Sequence, residues 1–107
     1  MTITATIDQL AAAAADGATV VDVREPGECV GGHVPGAVLM PMGQLPSRAG
    51  ELDRHRPVYV ICASGNRSRA MSDYLVRAGF DARSVDGGTA AWAASGRPVV
   101  AGAKPSA

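Results

Sequence analysis

The sequence predicts an α/β domain, a small parallel sheet with helices packed on both faces. Two observations carry that expectation. Short β-branched or apolar runs at 19–23, 37–40, 57–61 and 80–85 alternate with segments of helical spacing. Strands that alternate with helices pair in parallel, because each crossover returns the chain through a helix. The second observation is the stretch 57–78, where a strand pattern, a glycine-bearing loop and an amphipathic helix follow one another. Ligands of such sheets sit at the carboxyl ends of the strands, which is where this loop falls.

Thr6 is followed three positions later by Gln9, the spacing of a capping box, so a helix is expected over Ile7 to Ala15, stopped at Asp16-Gly17. Thr19 to Val23 reads as a buried strand, with Asp22 and Arg24 at its end as a structural ion pair. Pro26 suits the first turn of a short helix. Cys29 then reads as a small apolar core residue. The stretch 31–36 is rich in turn residues, and His33 is expected to shape the turn through hydrogen bonds. Ala37 to Met40 is a short strand, a short helix is expected around Gln44 to Ala49, and His55 lies in a charged, solvated connection.

Pro57 to Ile61 has the β-branched and aromatic character of a buried strand. Ala70, Met71, Tyr74, Leu75 and Ala78 form an apolar stripe on a helix starting near Ser68. Gly79 stands where helices end in a left-handed residue. After the strand at 80–85, Asp86-Gly87-Gly88 turns the chain into a last helix that holds Trp92 as a core residue. Its two glycines allow close backbone approach beside the 62–67 loop. Residues 101–107 read as a frayed tail.

The loop itself is Cys62-Ala63-Ser64-Gly65-Asn66-Arg67, leading into Ser68. A strand–loop–helix aims the loop N–H groups and the positive helix end at one point, where anions bind. A cysteine there loses its proton readily; comparable sites bring a thiol from ~8.5 into the range of roughly 3.5 to 7.5. Gly65 takes a positive φ at no steric cost, and Asn66 tolerates one. Arg67 supplies a fixed charge and a fork of donors. A nucleophilic thiolate that handles a small anion or a bound sulfur is the expectation. The competing one is a buried structural cysteine before an ordinary loop.

Bulk properties bound the rest. The 107 residues suit a single domain with a core at about 19–98, and 47% hydrophobic content supplies that core. Ten basic residues balance ten acidic ones, which argues against nucleic acid or an acidic membrane as partner. No charged-then-apolar leader and no membrane-length apolar run are visible, so a cytoplasmic protein with Cys29 and Cys62 reduced is expected. Cys29, His33, His55 and Cys62 lack the paired spacing of zinc ligands, and no metal is expected.

The loop resembles the active-site loop of rhodanese-type sulfurtransferases. Val20-Val21-Asp22-Val23-Arg24-Glu25-Pro26, Gly32-His33-Val34-Pro35-Gly36-Ala37 and Val85-Asp86-Gly87-Gly88 with Trp92 resemble further signatures of that family, in the right order. The similarity spans about Thr19 to Pro98. It implies a sheet of about five strands and a sulfurtransfer cycle. Cys62 would take sulfane sulfur from a donor such as thiosulfate as a persulfide and pass it to cyanide or a thiol. Residues 63–68 would hold the persulfide, Asp22 and Arg24 would support the loop, and no metal or organic cofactor would be needed. A sulfur-carrier or thioredoxin-like protein is a further partner it allows. Two residues depart from the family pattern: Cys29 replaces a bulky aromatic, and Ala63 replaces a basic residue common after the cysteine.

Two other functions compete. Cysteine-dependent phosphatases and arsenate reductases use a similar loop, but one residue longer; here four residues separate Cys62 from Arg67, and Ile61 stands where the phosphatases carry histidine. A non-catalytic binding module of the same fold is the other, and the presence of Cys62 argues against it.

Overall fold

A computed structural model describes residues 2–102. Its elements are β1 (Thr4–Ala5), α1 (Ile7–Ala15), β2 (Thr19–Asp22), α2 (Pro26–Cys29), β3 (Val38–Leu39), α3 (Leu45–Arg48) with a 3-10 turn over Ala49–Glu51, β4 (Val58–Ile61), α4 (Asn66–Arg77), β5 (Ala82–Val85) and α5 (Gly88–Ala94). The five strands form one sheet in the order β1-β5-β4-β2-β3, and every pairing is parallel. The predicted architecture is therefore the observed one, with one addition. β1 is two residues long, below any periodicity signal, and exists because it pairs with Ser84 and Val85.

Strand alternation divides the core in two. Val58, Val60 and Cys62 face one side, where Leu45, Leu52, Leu75 and Phe80 cover them. Tyr59 and Ile61 face the other, against Leu10 and Trp92. All four residues of β4 are buried, as a central parallel strand requires. α1 carries both halves of its capping box: the Gln9 N–H donates to Thr6 Oγ1 at 3.1 Å and the Thr6 N–H to Gln9 Oε1 at 2.9 Å. Among the described residues no helix is long and apolar enough to cross a membrane.

Four expectations change on inspection. α4 begins at Asn66, two residues before the expected Ser68, with Gly65 as its cap at φ 118°. Asn66 therefore has helical backbone, and no residue other than glycine has a positive φ among those described. Ala70 is exposed; the inner line of α4 is Ser68, Ser72 and Leu75, with Met71, Tyr74 and Ala78 at its edges. The stripe turned because hydroxyls occupy the end of the helix nearest the loop. The His33 ring is buried, and neither of its nitrogens has a partner among the described residues. The turn is held by backbone instead, with His33 and Val100 exchanging two hydrogen bonds of 2.9 Å. The start of the tail is tied down through the Gly102 N–H, which donates to the Val30 carbonyl at 3.1 Å. The rest of the expected tail, 103–107, lies outside the described residues.

Candidate active site

Cys62 is the first residue beyond β4, and three contacts fix its backbone and that of Ala63 at the carboxyl edge of the sheet. Its carbonyl accepts from the Thr89 N–H at 2.9 Å and from Thr89 Oγ1 at 3.2 Å. The Ala63 carbonyl accepts from the Ala90 N–H at 3.1 Å. The first turn of α5 thus docks on the first two residues of the loop. Only glycine at 88 permits that approach: a Cβ there would stand 2.4 Å from the Cys62 oxygen and 2.6 Å from the Ala63 oxygen. The close approach expected of this glycine pair is what Gly88 provides.

With its backbone held, the loop curls over the sulfur. The Gly65 N–H points at Cys62 Sγ from 3.1 Å and the Ser68 N–H from 3.4 Å, and Ser68 Oγ lies 3.5 Å away. Burial by itself would raise the Cys62 thiol. The Ser68 hydroxyl and the N–H groups of Ser68, Gly65 and Ser64 outweigh burial and hold it below an ordinary cysteine. The cradle for an acidic thiol is thus the one expected. Ser64 and Asn66 have exposed side chains and enter it through the backbone they set.

Arg67 is engaged by a carboxylate. Its guanidinium turns to α2 and makes two hydrogen bonds of 2.8 Å with the Glu28 carboxylate. That bidentate pair, helped by the Glu25 N–H, brings Glu28 down to about 2 and raises Arg67. Arg69, the other nearby cation, stands 3.7 Å from Asp86.

Asp22 and Arg24 form the expected pair, buried and joined at 2.8 Å. Arg24 also donates to the Gly32 carbonyl at 2.9 Å and to the Glu28 carbonyl at 3.4 Å. No hydrogen bond runs from the pair to the loop among the described residues. The pair binds the backbone of the turn and of α2, and Glu28 of α2 holds Arg67. Cys29 is a core residue, and burial, followed by the Asp22 charge, pushes its thiol up to about 11.

Sequence reasoning missed Ser84. It is fully buried on β5, and its hydroxyl lies 2.8 Å from that of Ser68. A signal was available, since a serine in register with Ala82 on the inward face of a buried strand is a polar group in want of a partner. A cavity of about 350 Å³ also adjoins the loop, with Ala63 at its edge. Ala90, Ala93 and Val99 give its lining an apolar part, and Gly31, Gly32, Thr89 and the charged Arg24 and Glu28 line the rest. Another cavity, about 320 Å³, lies by Gly17, Arg56 and Tyr59 at the opposite end of the strands, and no thiol lines it. Among the described residues no three His, Cys, Asp or Glu side chains converge as metal ligands would.

The comparisons with known proteins agree with this geometry. The rhodanese-like domain family matches residues 6–95. A sulfurtransferase of Allochromatium vinosum is 39% identical over 83 residues, covering 77% of this chain and 78% of its own. The crystal structure of a rhodanese-related protein from Thermoplasma volcanium superposes with a TM-score of 0.86 at 34% identity, over 92% of this chain and 97% of its own. A thiosulfate sulfurtransferase from Pseudomonas aeruginosa superposes with a TM-score of 0.88 at 25% identity, over 97% of this chain and 21% of that longer one. Fold, motifs and relatives coincide, and the chain belongs to the rhodanese-like domain family.

Proposed function

We propose that the protein is a sulfurtransferase that carries sulfane sulfur on Cys62. The observation behind this is the sulfur's position inside a ring of N–H donors, where its thiolate is favoured. The thiolate attacks the outer sulfur of the donor. With thiosulfate, the donor's S–S bond breaks, sulfite leaves with the electron pair, and Cys62 becomes a persulfide anion. An acceptor nucleophile then attacks the outer persulfide sulfur and the Cys62 thiolate departs. Cyanide gives thiocyanate, and a thiol gives a new persulfide. The step is covalent catalysis by an activated nucleophile. The N–H groups of the loop stabilise the charge that moves onto sulfur, as an oxyanion hole does.

Phosphate-ester chemistry is disfavoured by Arg67. A transferring phosphoryl group needs cationic donors on its oxygens, and here the loop is short and its arginine is engaged by Glu28. The rim also bears on the acceptor. Ala63 brings no charge, and Arg24, Arg67 and Arg69, the cations of the rim and the cavity, each have a carboxylate partner. Beside them lies the apolar wall of Ala90, Ala93 and Val99, in a cavity within the range of roughly 300–1,000 Å³ that small ligands use. An organic thiol whose carbon skeleton rests on that wall suits the site better than a bare anion.

The test is intact-mass spectrometry after incubation with thiosulfate. One added sulfur on Cys62, removed again by cyanide or thiol, is expected. Cys62→Ser should lose the adduct and at least about a thousandfold of turnover, as removal of a covalent nucleophile does. Retained turnover in that variant would end the proposal.

A further inference from the structure

Behind the loop lies a chain of two buried hydroxyls, and the cycle above leaves the second of them, Ser84, unused. Ser68 and Ser84 are each 0% exposed. Their oxygens are 2.8 Å apart, and Ser68 Oγ is also 3.1 Å from the Gly65 carbonyl and 3.5 Å from Cys62 Sγ. Ser84 has no hydrogen-bond partner for its side chain except Ser68 among the described residues. Buried hydroxyl protons find acceptors. If Ser68 donated to Ser84, the Ser84 proton would be stranded. The satisfied arrangement has Ser84 donating to Ser68. The Ser68 proton then has two destinations, the Gly65 carbonyl or the sulfur. The Gly65 carbonyl also accepts from the Arg69 N–H at 3.3 Å, so it keeps a partner when the Ser68 proton swings away.

We propose that Ser84 is a positioning residue for the reacting sulfur: its hydroxyl donates to Ser68 and so keeps the Ser68 proton available to Cys62. When Cys62 ionises, its own proton goes to solvent, both serines keep theirs, and the Ser68 hydroxyl rotates from the Gly65 carbonyl to the anionic sulfur. A donor chain in which each bond polarises the next strengthens the last bond in a low-dielectric interior. Ser84 thereby reaches the thiolate from the sheet without touching it.

The charged groups on the elements around the loop are Arg67 on α4 with Glu28 on α2, Asp22 at the end of β2 with Arg24 beyond it, and Asp86 beyond β5 with Arg69. Ser84 makes no hydrogen bond to any of them, so its removal isolates the hydroxyl. The proposal depends on Cys62 being the reacting group. Its test involves no sulfur donor, so it stands or falls apart from sulfurtransfer.

The experiment is the pH dependence of Cys62 alkylation, followed by peptide mass spectrometry in the parent chain and four variants. Ser84→Ala should raise the midpoint by about half a unit, roughly threefold less thiolate on the acid side. Ser68→Ala should raise it by about one unit or more, since it deletes a hydrogen bond to a charged group. In the double variant the Ser84 change should add nothing, because its route runs through Ser68. Ser84→Thr keeps the hydroxyl and should keep the native midpoint. An unmoved midpoint in Ser84→Ala overturns the proposal, with or without a fall in Tm. An equal further rise in the Ser68→Ala background also overturns it.

Discussion

The chain holds two cysteines that differ little in burial and greatly in chemistry. Cys62 is 1% exposed and Cys29 is 2% exposed. Burial alone would make both inert, because a thiolate loses its hydration in a protein interior. Only Cys29 behaves that way, with its thiol pushed up to about 11 by burial and by the Asp22 carboxylate. At Cys62 burial acts in the same direction, and the hydrogen-bond donors of Ser68, Gly65 and Ser64 override it. What separates the two is the direction of nearby dipoles. One sulfur has N–H groups aimed at it from a curled loop and a helix start, and the other faces a carboxylate. Reactive cysteines are made by surrounding donors rather than by exposure.

Alkylation should show the contrast at its largest. Near neutral pH a small alkylating reagent should modify Cys62 faster than Cys29 by on the order of a hundredfold or more, since the thiolate is the nucleophile. Peptide mapping after timed quenching gives both rates. Equal rates would show that the loop donors do not activate Cys62.

A second test attacks the loop rather than the sulfur. Gly88→Ala drives a Cβ into the Cys62 and Ala63 carbonyls at a position whose φ is 58°. The left-handed backbone costs an L-residue roughly 1–2 kcal/mol before the clash is counted. The first turn of α5 must then lift from the loop, and the N–H ring loses its anchor. Turnover should fall more than tenfold and the Cys62 alkylation midpoint should rise, while the Cys29 rate stays low. Steady-state assay and alkylation of the same preparation measure both. A variant with native turnover would show that the docking of α5 does not shape the ring.

Cys29 gives a smaller effect, in stability. Its folded-state thiol is raised, so its neutral form is the one that folding favours. That contribution is complete below the ordinary thiol value and is lost as pH rises toward about 11. Cys29→Ala removes the titration along with the sulfur. It should cost about 1–2 kcal/mol near neutral pH, keep most turnover, and flatten the alkaline decline in stability. Urea unfolding at a series of pH values tests this; a decline as steep as in the parent would assign it to other groups.

The donors around Cys62 were legible because they are local. A cysteine at a strand end, a glycine three residues on and a helix start within six are one contiguous pattern, and Gly79 and the Thr6–Gln9 cap were legible for the same reason. Pairings across the chain were not. Glu28 and Arg67 are 39 residues apart, and no spacing rule joins them. Arg67 in isolation reads as a ligand-binding cation, and only the packing of α2 against the loop assigns it to Glu28. β1 and Ser84 belong together in this respect, since the first is a strand only by pairing with the second's neighbourhood. His33 was legible in part. It is expected to shape the turn through hydrogen bonds, and it does so through its backbone, in the exchange with Val100, while its ring nitrogens have no partner among the described residues.

The smallest expected effect concerns charge at the rim. Ala63 is half-buried at the edge of the cavity, and its carbonyl, not its side chain, is engaged by α5. The donors that hold the Cys62 thiol below its ordinary value do not include the side chain at 63. A cation added there therefore acts on an approaching anion more than on the sulfur. Ala63→Arg should raise kcat/KM with thiosulfate a few-fold at low ionic strength, and the gain should fade as the Debye length shrinks to about 8 Å near physiological salt. The Cys62 alkylation midpoint should fall only slightly. With a neutral organic persulfide as donor the gain should vanish, because such a donor brings little charge to steer. Kinetics with both donors across ionic strength separate these outcomes. A gain that ignores salt and comes with a large drop in the midpoint would mean that position 63 tunes the nucleophile itself. The two cysteines would then differ through side-chain charge as well as through backbone donors.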